Sequence, residues 1–524
     1  MNNIKSLIKS TGLLSVFILS SRIVGFFRDV VFARFFGTNI YAQAFVVAYK
    51  LPNMFRDMVG EGATDSAIVP VLSEYRHKKT EEEFWSTARI IFNVMLLTVL
   101  ILTILGVIFA PSIVRVIVPG FSKDPEKFKI AVLLTRCVFP YIIFLGIVAY
   151  SKGVLNSINH FTMPAIAPVA LNIVMMIFMI FLCPVIGIMA VVAGIIFGGF
   201  IQVALQMPIL IKKGLKFDKT FRLIHPVSAK IVKLIIPRIL GSALYQASIL
   251  IDTVLASLSG IVGVGGVAAL YYAHKLIHLP IALFAISLST ASLPRLSKEI
   301  ALKDLDQFKH TIQFSLKIIF TAMAPATIGF MLLSKPIIII LFQRGEFNEY
   351  STLITANSLF FYALGLFAYA GIKILVNAFY AMGDTKTPVK ISSVSLILNF
   401  VLNLILMWPF KIGGLALATS LAAIYNFFML YSQLARRAEG LASRELLLYC
   451  KKILISSLIM GISIVILKKI FLNTISSDIM SVLKVLIVIG IASTVYLIAG
   501  YFTGMEFTRD ITVFFKKKIN RVKN

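Results

Sequence analysis

Long apolar stretches alternate with short polar ones along the whole chain of 524 residues. The stretch "IIFNVMLLTVLILTILGVIFA" (90–110) carries no charge and is long enough to cross a bilayer as a helix. Windows of about 20 residues predict about fourteen such helices. Their spans are 11–33, 41–73, 88–112, 130–155, 164–183, 186–211, 230–258, 265–294, 311–342, 351–382, 387–409, 413–436, 447–469 and 481–503. The pattern predicts an all-α polytopic membrane protein without a soluble domain.

The polar connections differ in charge between the two sides of the predicted membrane. The connection "KKGLKFDKTFR" (212–222) carries five lysines or arginines. The connections at 74–83, 295–304 and 436–444 and the tail "FKKKINRVKN" fall on the same side. Cytoplasmic loops are enriched in lysine and arginine, and an even number of spans puts both termini on one side. We therefore predict cytoplasmic termini, and most of the net charge of +28 is explained without a nucleic-acid partner.

The chain also contains two related halves. The segment 187–215 aligns without gaps with 413–441. Four short matches follow the same order: "RIVG" with "RILG", "AFVVAYKL" with "ALYYAHKL", "VPVLSE" with "LPRLSK", and "GIVAY" (146) with "GLFAY" (365). We interpret the chain as two pseudo-symmetric six-helix lobes, 1–225 and 226–441, followed by two helices and a basic tail, 442–524. Transporters use such parallel repeats and bind substrate between the halves.

The first two predicted helices carry charges that are costly in a bilayer. In "SSRIVGFFRDVVFARFFG" (20–37), Ser21, Gly25 and Arg28 share one face, and Arg22 lies about a third of a turn away. The second helix carries the polar residues Lys50, Asn53, Arg56, Asp57 and Glu61. A charge facing lipid at mid-depth costs roughly 3 kcal/mol, so these groups are expected to face a bundle interior or a wet cavity.

Two interpretations of these charges stay open. A cavity lined by the arginines, Lys50 and Lys275 suits a polyanionic headgroup, because the guanidinium fork binds phosphate in a bidentate way. Alternatively the charges neutralise one another, Arg28 with Asp29 and Arg56 with Asp57 or Glu61. Arg34 is interpreted as a helix-end residue whose charge reaches the interface.

A second polar group lies later in the chain. Asp252 is a lone carboxylate in the apolar stretch "YQASILIDTVLAS", Asn399 and Asn403 lie four residues apart on one helix, and Thr419 lies on the next. Oxygen ligands around one carboxylate suit a small cation. Hydrogen bonding between helices is the alternative. We favour that alternative for the asparagines and a functional role for Asp252.

Four segments resemble the MurJ (MviN) family of lipid II flippases, within the multidrug/oligosaccharidyl-lipid/polysaccharide exporter superfamily. They are "SSRIVGFFRDVVFARFFG", "AFVVAYKLPNMFRDMVGEGATDSAIVPVLSEY", "LPIALFAISLSTASLPRLSKE" and "NAFYAMGDTKTPV". The resemblance covers nearly the whole chain. It implies transfer of the undecaprenyl-pyrophosphate-linked peptidoglycan precursor from the cytoplasmic to the periplasmic leaflet of the bacterial inner membrane by alternating access. It also implies a role in cell-wall biogenesis and cell shape.

The resemblance also implies a set of site residues. The substrate-binding positions match Ser21, Arg22, Gly25, Arg28, Lys50, Asn53, Arg56, Glu61 and Lys275. A family sodium site matches Asp252, Asn399, Asn403, the Leu415 carbonyl and Thr419. Three positions depart from the family: Gln43 and His274 replace acids, and Lys275 replaces an arginine. The family can have a carboxylate where this chain has Asn403, so the resemblance implies a sodium site with less negative charge here.

Several functional hypotheses follow. Lipid II and membrane lipids are the expected partners, the cell-wall synthesis machinery is a further one, and the protein is expected to act as a monomer. The chain has no Walker A, HExxH or GxSxG motif, its three cysteines lie in apolar runs, and its histidines form no zinc pattern. We therefore expect no enzyme activity and no organic cofactor, with transport driven by an ion gradient or the membrane potential. The alternatives are a flippase for another lipid-linked oligosaccharide, an intramembrane enzyme acting on undecaprenyl lipids, and a non-transporting scaffold.

Overall fold

Helices account for the ordered secondary structure of this protein. The computed structural model describes residues 2–58, 64, 67–216, 226–438, 440–441 and 444–506, and this part contains no β-strand. Two compact units divide the chain, Met1–Ser259 and Gly260–Asn524. The all-α fold class is confirmed. The lobe boundaries from the repeat stay a prediction.

The helix bounds follow the chain order. In the first unit they are α1 Asn2–Phe36, α2 Ile40–Phe55, α3 Val69–Lys78, α4 Glu81–Ile108, α5 Ala110–Ile117, α6 Pro125–Val138, α7 Tyr141–Ser157, α8 Thr162–Ile186, α9 Met189–Lys212 and α10 Pro226–Ala256. The short α11 is Ser259–Val262. In the second unit they are α12 Gly266–Pro280, α13 Ser287–Ala301, α14 Leu305–Phe342, α15 Glu349–Leu364, α16 Leu366–Ala381, α17 Lys386–Phe410, α18 Ile412–Arg437, α19 Arg444–Phe471 and α20 Ile479–Phe502. Pro119–Lys123 form a 3₁₀ turn, and Ile281–Ile286 form a π-helical segment.

Most predicted spans coincide with these helices. Among the described residues, ten helices or continuous helix pairs are long and apolar enough to cross a membrane. An eleventh span is formed if α15 and α16, which bend by 44° at Gly365, are counted together. The three other predicted spans correspond to α1, to α2 with α3, and to α10. The total of fourteen spans stays a prediction.

Polar residues in the connections start several helices. At the start of α4, Thr80 and Glu83 form a capping box, in which each side chain accepts a hydrogen bond from the backbone amide of the other. Asn39 caps α2 and Asp124 caps α6 by a single hydrogen bond each, which the side chain accepts from a backbone amide of the first turn. These caps satisfy amide groups that the first turn of a helix leaves unpaired.

Small residues let α8 and α9 approach closely. A Cβ added at Gly194 would lie 3.1 Å from the Met175 Cα, and one at Gly198 would lie 2.5 Å from the Leu171 Cδ1. Helices in a membrane associate largely by such close packing, because lipid tails are as apolar as the helix surfaces. The pair α8 and α9 therefore forms a rigid wall of the first unit, against which α1 and α7 pack.

Polar contacts tie α10 to the rest of the first unit at both of its ends. Near its start, Lys230 Nζ lies 2.8 Å from Glu74 Oε2 on α3. Hydrogen bonds from Lys230 and Lys78 hold the pKa of the Glu74 carboxyl below its usual range. Just beyond its end, the Ser257 hydroxyl accepts a hydrogen bond of 3.1 Å from the Gly120 amide in the 3₁₀ turn. A Cβ at Gly120 would collide with the Ser257 carbonyl, so this contact requires glycine.

The two last helices pack against α14 in the second unit. The Tyr496 hydroxyl donates to the Thr321 carbonyl at 2.9 Å, and the Tyr449 and Thr321 hydroxyls lie 3.1 Å apart. Lys317 on α14 forms ion pairs with Glu445 at 2.5 Å and with Glu506 at 3.4 Å. These contacts connect α19 and α20 to α14 at specific positions along an otherwise apolar interface.

Candidate functional site

Arg28 is held by hydrogen bonds in the interior of the first unit, with only 8% of the residue exposed. Its Nη2 and Nε both donate to Asp29 Oδ1, at 2.6 and 3.1 Å. Its Nη1 donates to Asn172 Oδ1 on α8 at 3.0 Å. A buried cation is stable only with such partners. The Arg28–Asp29 pair of the neutralisation alternative is therefore present, and Asn172 completes it.

Arg56 lies in a different environment, directly after Phe55 at the end of α2. Its Nη2 contacts Asp57 Oδ1 at 3.1 Å, and the two side chains are 43% and 40% exposed. This is the second ion pair of the neutralisation alternative. An exposed pair contributes little to stability, so the Arg56 guanidinium can exchange Asp57 for another anion at low cost.

Two tyrosines lie near Arg28, and one of them, Tyr141, also lies within electrostatic reach of Arg56. The Arg28 guanidinium carbon lies 5.9 Å from the ring centroid of Tyr49 on α2. The Tyr49 and Tyr141 rings lie 6.2 Å apart, which joins α2 to α7. The charges of both Arg28 and Arg56 act on the Tyr141 hydroxyl. Arg28, Arg56, Tyr49 and Tyr141 are called the arginine–tyrosine cluster below.

The other predicted residues of α1 and α2 border this cluster or lie apart from it. The Ser21 carbonyl accepts a weak hydrogen bond of 3.5 Å from Asn172 Nδ2. A Cβ at Gly25 would lie 3.3 Å from the same nitrogen, so Gly25 leaves room for Asn172. Arg22 is exposed and Asn53 is half-buried. Glu61 lies outside the described residues.

Lys50 contacts α10. Its Nζ donates to the Ile249 carbonyl at 3.4 Å and to the Thr253 hydroxyl. The charge of the buried Asp252, next to Thr253, also acts on the Lys50 ammonium. In the first unit, Asp252 is thus a neighbour of a substrate-site candidate, which its isolated place in the sequence did not indicate.

Gln43 also meets a buried lysine. Lys127 Nζ donates to Gln43 Oε1 at 2.9 Å and lies 4.0 Å from the ring centroid of Phe121. Gln43 Nε2 donates to the carbonyls of Thr38 and Asn39. The Gln43 amide therefore gives Lys127 a hydrogen-bond partner without a charge.

Lys275 belongs to the second unit. Its Nζ lies 5.2 Å from the ring centroid of Tyr271. The neighbouring His274 ring lies 4.4 Å from that of His278 and 5.9 Å from that of Tyr362. Lys275 is thus placed on an aromatic surface of α12.

Four of the five residues predicted for sodium form one hydrogen-bonded chain between α17 and α18. Asn403 Nδ2 donates to Asn399 Oδ1 at 3.2 Å, and Asn399 Nδ2 donates to Thr419 Oγ1 at 3.3 Å. The Thr419 hydroxyl donates to the Leu415 carbonyl at 2.9 Å. This chain corresponds to the hydrogen-bonding alternative for the asparagines.

The chemistry of these donors fits a hard cation only in part. Amide, hydroxyl and carbonyl oxygens are the kind of ligand that hard cations take. The sequences of α17 and α18 contain no aspartate or glutamate, so the four residues supply no negative charge. Asp252 belongs to the first unit. Within the described residues, no group of three histidine, cysteine, aspartate or glutamate side chains is placed to hold a metal ion.

Sequence reasoning missed Asn172, Tyr141 and Lys127. Asn172 and Lys127 had a detectable signal, because each is a polar residue in or beside an apolar helix. Tyr141 had none, since tyrosine is common at the ends of membrane helices.

Known proteins resemble this chain over most of its length. The family model described as lipid II flippase MurJ matches residues 32–488. A probable lipid II flippase MurJ of Buchnera aphidicola from Acyrthosiphon pisum is 34% identical over 464 residues, which cover 88% of this chain and 89% of the relative. The relative of the same description from Haemophilus influenzae is 34% identical over 465 residues, covering 85% and 90%.

Comparison with solved structures gives the same result as comparison with the sequences. A structure described as lipid II flippase MurJ in an inward closed conformation matches with a TM-score of 0.79 and 28% identity, covering 95% of this chain and 99% of that one. An inward-facing multidrug resistance transporter of the MATE family matches with a TM-score of 0.60 and 15% identity, covering 82% and 94%, which shows a shared fold. The resemblance carried by the sequence motifs is confirmed, and the chain belongs to the MurJ family of lipid II flippases.

Proposed function

We propose that this protein transfers lipid II, the undecaprenyl-pyrophosphate-linked peptidoglycan precursor, from the cytoplasmic to the periplasmic leaflet of the bacterial inner membrane. The observation that carries the proposal is the arginine–tyrosine cluster, in which the buried Arg28 lies 5.9 Å from the Tyr49 ring of α2 and the exposed Arg56 directly follows the last residue of α2. Two guanidiniums at one helix of an apolar protein suit a diphosphate, which otherwise has no favourable place in a bilayer.

The two arginines have different roles in this proposal. Arg56 has an exposed partner, so it can form bidentate hydrogen bonds to a phosphate that replaces Asp57. Arg28 keeps Asp29 and Asn172 and supplies a fixed positive potential. Its partners hold it in place before the substrate arrives, which lowers the cost of binding.

Transfer between leaflets requires the site to open to each side in turn. Lys50 contributes to this change, because in the present state it is bound to the Ile249 carbonyl and the Thr253 hydroxyl on α10. A lysine that leaves α10 becomes available to the diphosphate. In this proposal both termini are cytoplasmic, the protein acts as a monomer with lipid II and membrane lipids as its partners, and no covalent bond of the lipid changes.

Coupling to an ion is part of the proposal. Within the second unit, a sodium ion would be held by the oxygens of Asn399, Asn403, Thr419 and Leu415. When bound, such an ion supplies the energy of its gradient. The α17–α18 chain is neutral, whereas the Asp252 carboxylate of the first unit interacts with Lys50. Loss of the Asp252 charge is expected to affect the handling of lipid II through Lys50.

Complementation tests the function. A host depleted of its own lipid II flippase receives this protein, and labelled lipid II in the outer leaflet is measured. The test variant is Arg56→Ala, and the matched control is Arg34→Ala, which removes an exposed arginine from the end of α1. Rescue by the wild type and the control, but not by Arg56→Ala, is expected. Absence of rescue by a membrane-inserted wild type would contradict the proposal, as would a covalently altered lipid detected by mass spectrometry.

A further inference from the structure

Tyr141, at the start of α7, has a buried hydroxyl group that lacks a hydrogen-bond partner. Only 1% of the residue is exposed. Among the described residues, its hydroxyl has no hydrogen-bond partner. A buried polar group without a partner costs about 1–3 kcal/mol, so its retention calls for a compensating role.

The position of the ring is fixed by close packing. A Cβ added at Gly199 on α9 would lie 2.9 Å from Tyr141 Cδ2 and 2.9 Å from the Phe144 Cβ. On its other side the ring faces Tyr49, at a centroid distance of 6.2 Å. The hydroxyl therefore cannot turn away from the cluster without displacing α2 or α9.

The nearby cations leave the proton of this hydroxyl without an acceptor. The charges of Arg28 and Arg56 both act on it. A guanidinium has five N–H donors and no acceptor, so neither arginine can receive the hydroxyl hydrogen. An anionic oxygen that entered the cluster would accept from Arg56 and from Tyr141 at once, in the positive potential of Arg28.

Comparison of the two halves of the internal repeat distinguishes the role of the Tyr141 ring from the role of its hydroxyl. The match of "GIVAY" at 146 with "GLFAY" at 365 places Phe360 at the position that corresponds to Tyr141. Phe360 keeps an aromatic ring, which packs against Phe361 at 5.2 Å. The aromatic ring is thus common to both halves, whereas the hydroxyl occurs in the half that carries the arginines.

We propose that the Tyr141 hydroxyl donates a hydrogen bond to a phosphate oxygen of the substrate diphosphate, as a second donor beside Arg56, while Arg28 keeps Asp29 and Asn172 as its partners. This inference rests on the proposed function and adds a residue to it. Tyr141 contributes an uncharged donor in a fixed direction, so its effect differs from that of the arginines in being insensitive to salt.

The test compares two tyrosine-to-phenylalanine variants of the full chain in lipid nanodiscs. Tyr141→Phe removes the hydroxyl and keeps the ring. Tyr150→Phe is the matched control, since Tyr150 lies on the same helix, is fully buried, and also has a hydroxyl without a partner in the described part of the chain. Its ring packs against Phe92 at 5.1 Å, and its charged neighbour is Arg89. The probes are lipid II, undecaprenyl pyrophosphate and undecaprenyl monophosphate.

The expected result is a roughly 10-fold weaker binding of lipid II and of undecaprenyl pyrophosphate to Tyr141→Phe, since a hydrogen bond to a charged group is lost. Tyr150→Phe should bind both as the wild type does, and neither variant should melt at a lower temperature. Equal affinities of Tyr141→Phe and Tyr150→Phe would overturn this inference alone. A loss confined to lipid II would place the contact on the sugar or peptide and overturn the diphosphate assignment. A folded wild type that binds none of the probes would overturn the proposed function, and this inference with it.

Discussion

Lys127 donates a hydrogen bond of 2.9 Å to the side-chain oxygen of Gln43, 84 residues earlier in the chain. Both residues are buried, with 5% and 1% of their surface exposed. The contact joins α2 to α6 and gives a buried ammonium a neutral partner. The face of Phe121 adds a cation–π contact at 4.0 Å.

Replacing Gln43 by alanine is expected to destabilise the first unit by about 1–3 kcal/mol, because the buried ammonium loses its hydrogen-bond acceptor. Thermal unfolding of the purified protein measures this loss as a lower melting temperature. Gln43→Glu serves as the control, since it keeps an acceptor and adds a charge that attracts Lys127. An unchanged melting temperature of Gln43→Ala would show that the contact contributes nothing to stability.

The ion pairs Arg28–Asp29 and Arg56–Asp57 should respond differently when the aspartate is replaced by asparagine. Asp29→Asn leaves the Arg28 charge buried without a counter-ion and is expected to cost about 3–5 kcal/mol. Asp57→Asn affects a pair that is about 40% exposed and should change stability by less than about 1 kcal/mol. Melting temperatures of the two variants, compared at equal salt, test this contrast. Similar losses in both variants would mean that burial does not distinguish the pairs.

Asp384 lies in the connection between α16 and α17 and should make stability dependent on pH. Its carboxylate accepts from the Thr387 hydroxyl at 2.6 Å, the Thr387 amide at 3.0 Å and Arg437 Nη1 at 2.6 Å. The hydrogen bonds from Thr387, and then those from Arg437, hold the pKa of the Asp384 carboxyl well below its usual value of 3.8. A lowered pKa stabilises the folded state above the unfolded pKa, and the contribution is lost as the pH falls toward the folded pKa.

The measurement is the difference in melting temperature between the wild type and Asp384→Asn as a function of pH. The difference should be constant above about pH 5 and shrink below about pH 4. Thr387→Val is a second variant, which removes the hydroxyl donor and so raises the folded pKa; the loss should begin at the same pH but be smaller and end at a higher pH. A difference that grows on acidification would refute the assignment.

The sequence predicted the positions of the helices better than the contacts between them. Apolar length is a local property, so the windows located eleven of the spans that the described helices form. The pair Arg28–Asp29 was also accessible, because its members are neighbours in sequence. Asn172 lies 144 residues from Arg28, and this contact depends on how α1 packs against α8, which no local pattern records.

The spacing of polar residues along a helix predicted some of their contacts but not others. The four-residue spacing of Asn399 and Asn403 indicated a shared helix face, and the structure shows a hydrogen bond of 3.2 Å between them. For Asp252 the apolar surroundings suggested isolation, whereas the charge of Lys50 on another helix lies within electrostatic reach. A residue's neighbours across helices therefore decide whether a buried charge binds an ion, pairs with a cation or does both.

Asn403→Asp should make the melting temperature of this protein depend on sodium. The variant adds a carboxylate to a chain of neutral oxygens from Asn399, Thr419 and Leu415, and the charge of a ligand set strongly raises cation affinity. A ligand that binds the folded state alone stabilises it by about 2.7 kcal/mol at one hundred times its Kd. The melting temperature of the variant is therefore expected to rise with sodium chloride but not with choline chloride, and more steeply than that of the wild type. Asn426→Asp, on the same helix α18 as Thr419 but next to Ser392 instead of Asn399, is the matched control. An equal sodium response of both aspartate variants would show that added charge, and not the α17–α18 oxygen chain, binds the ion.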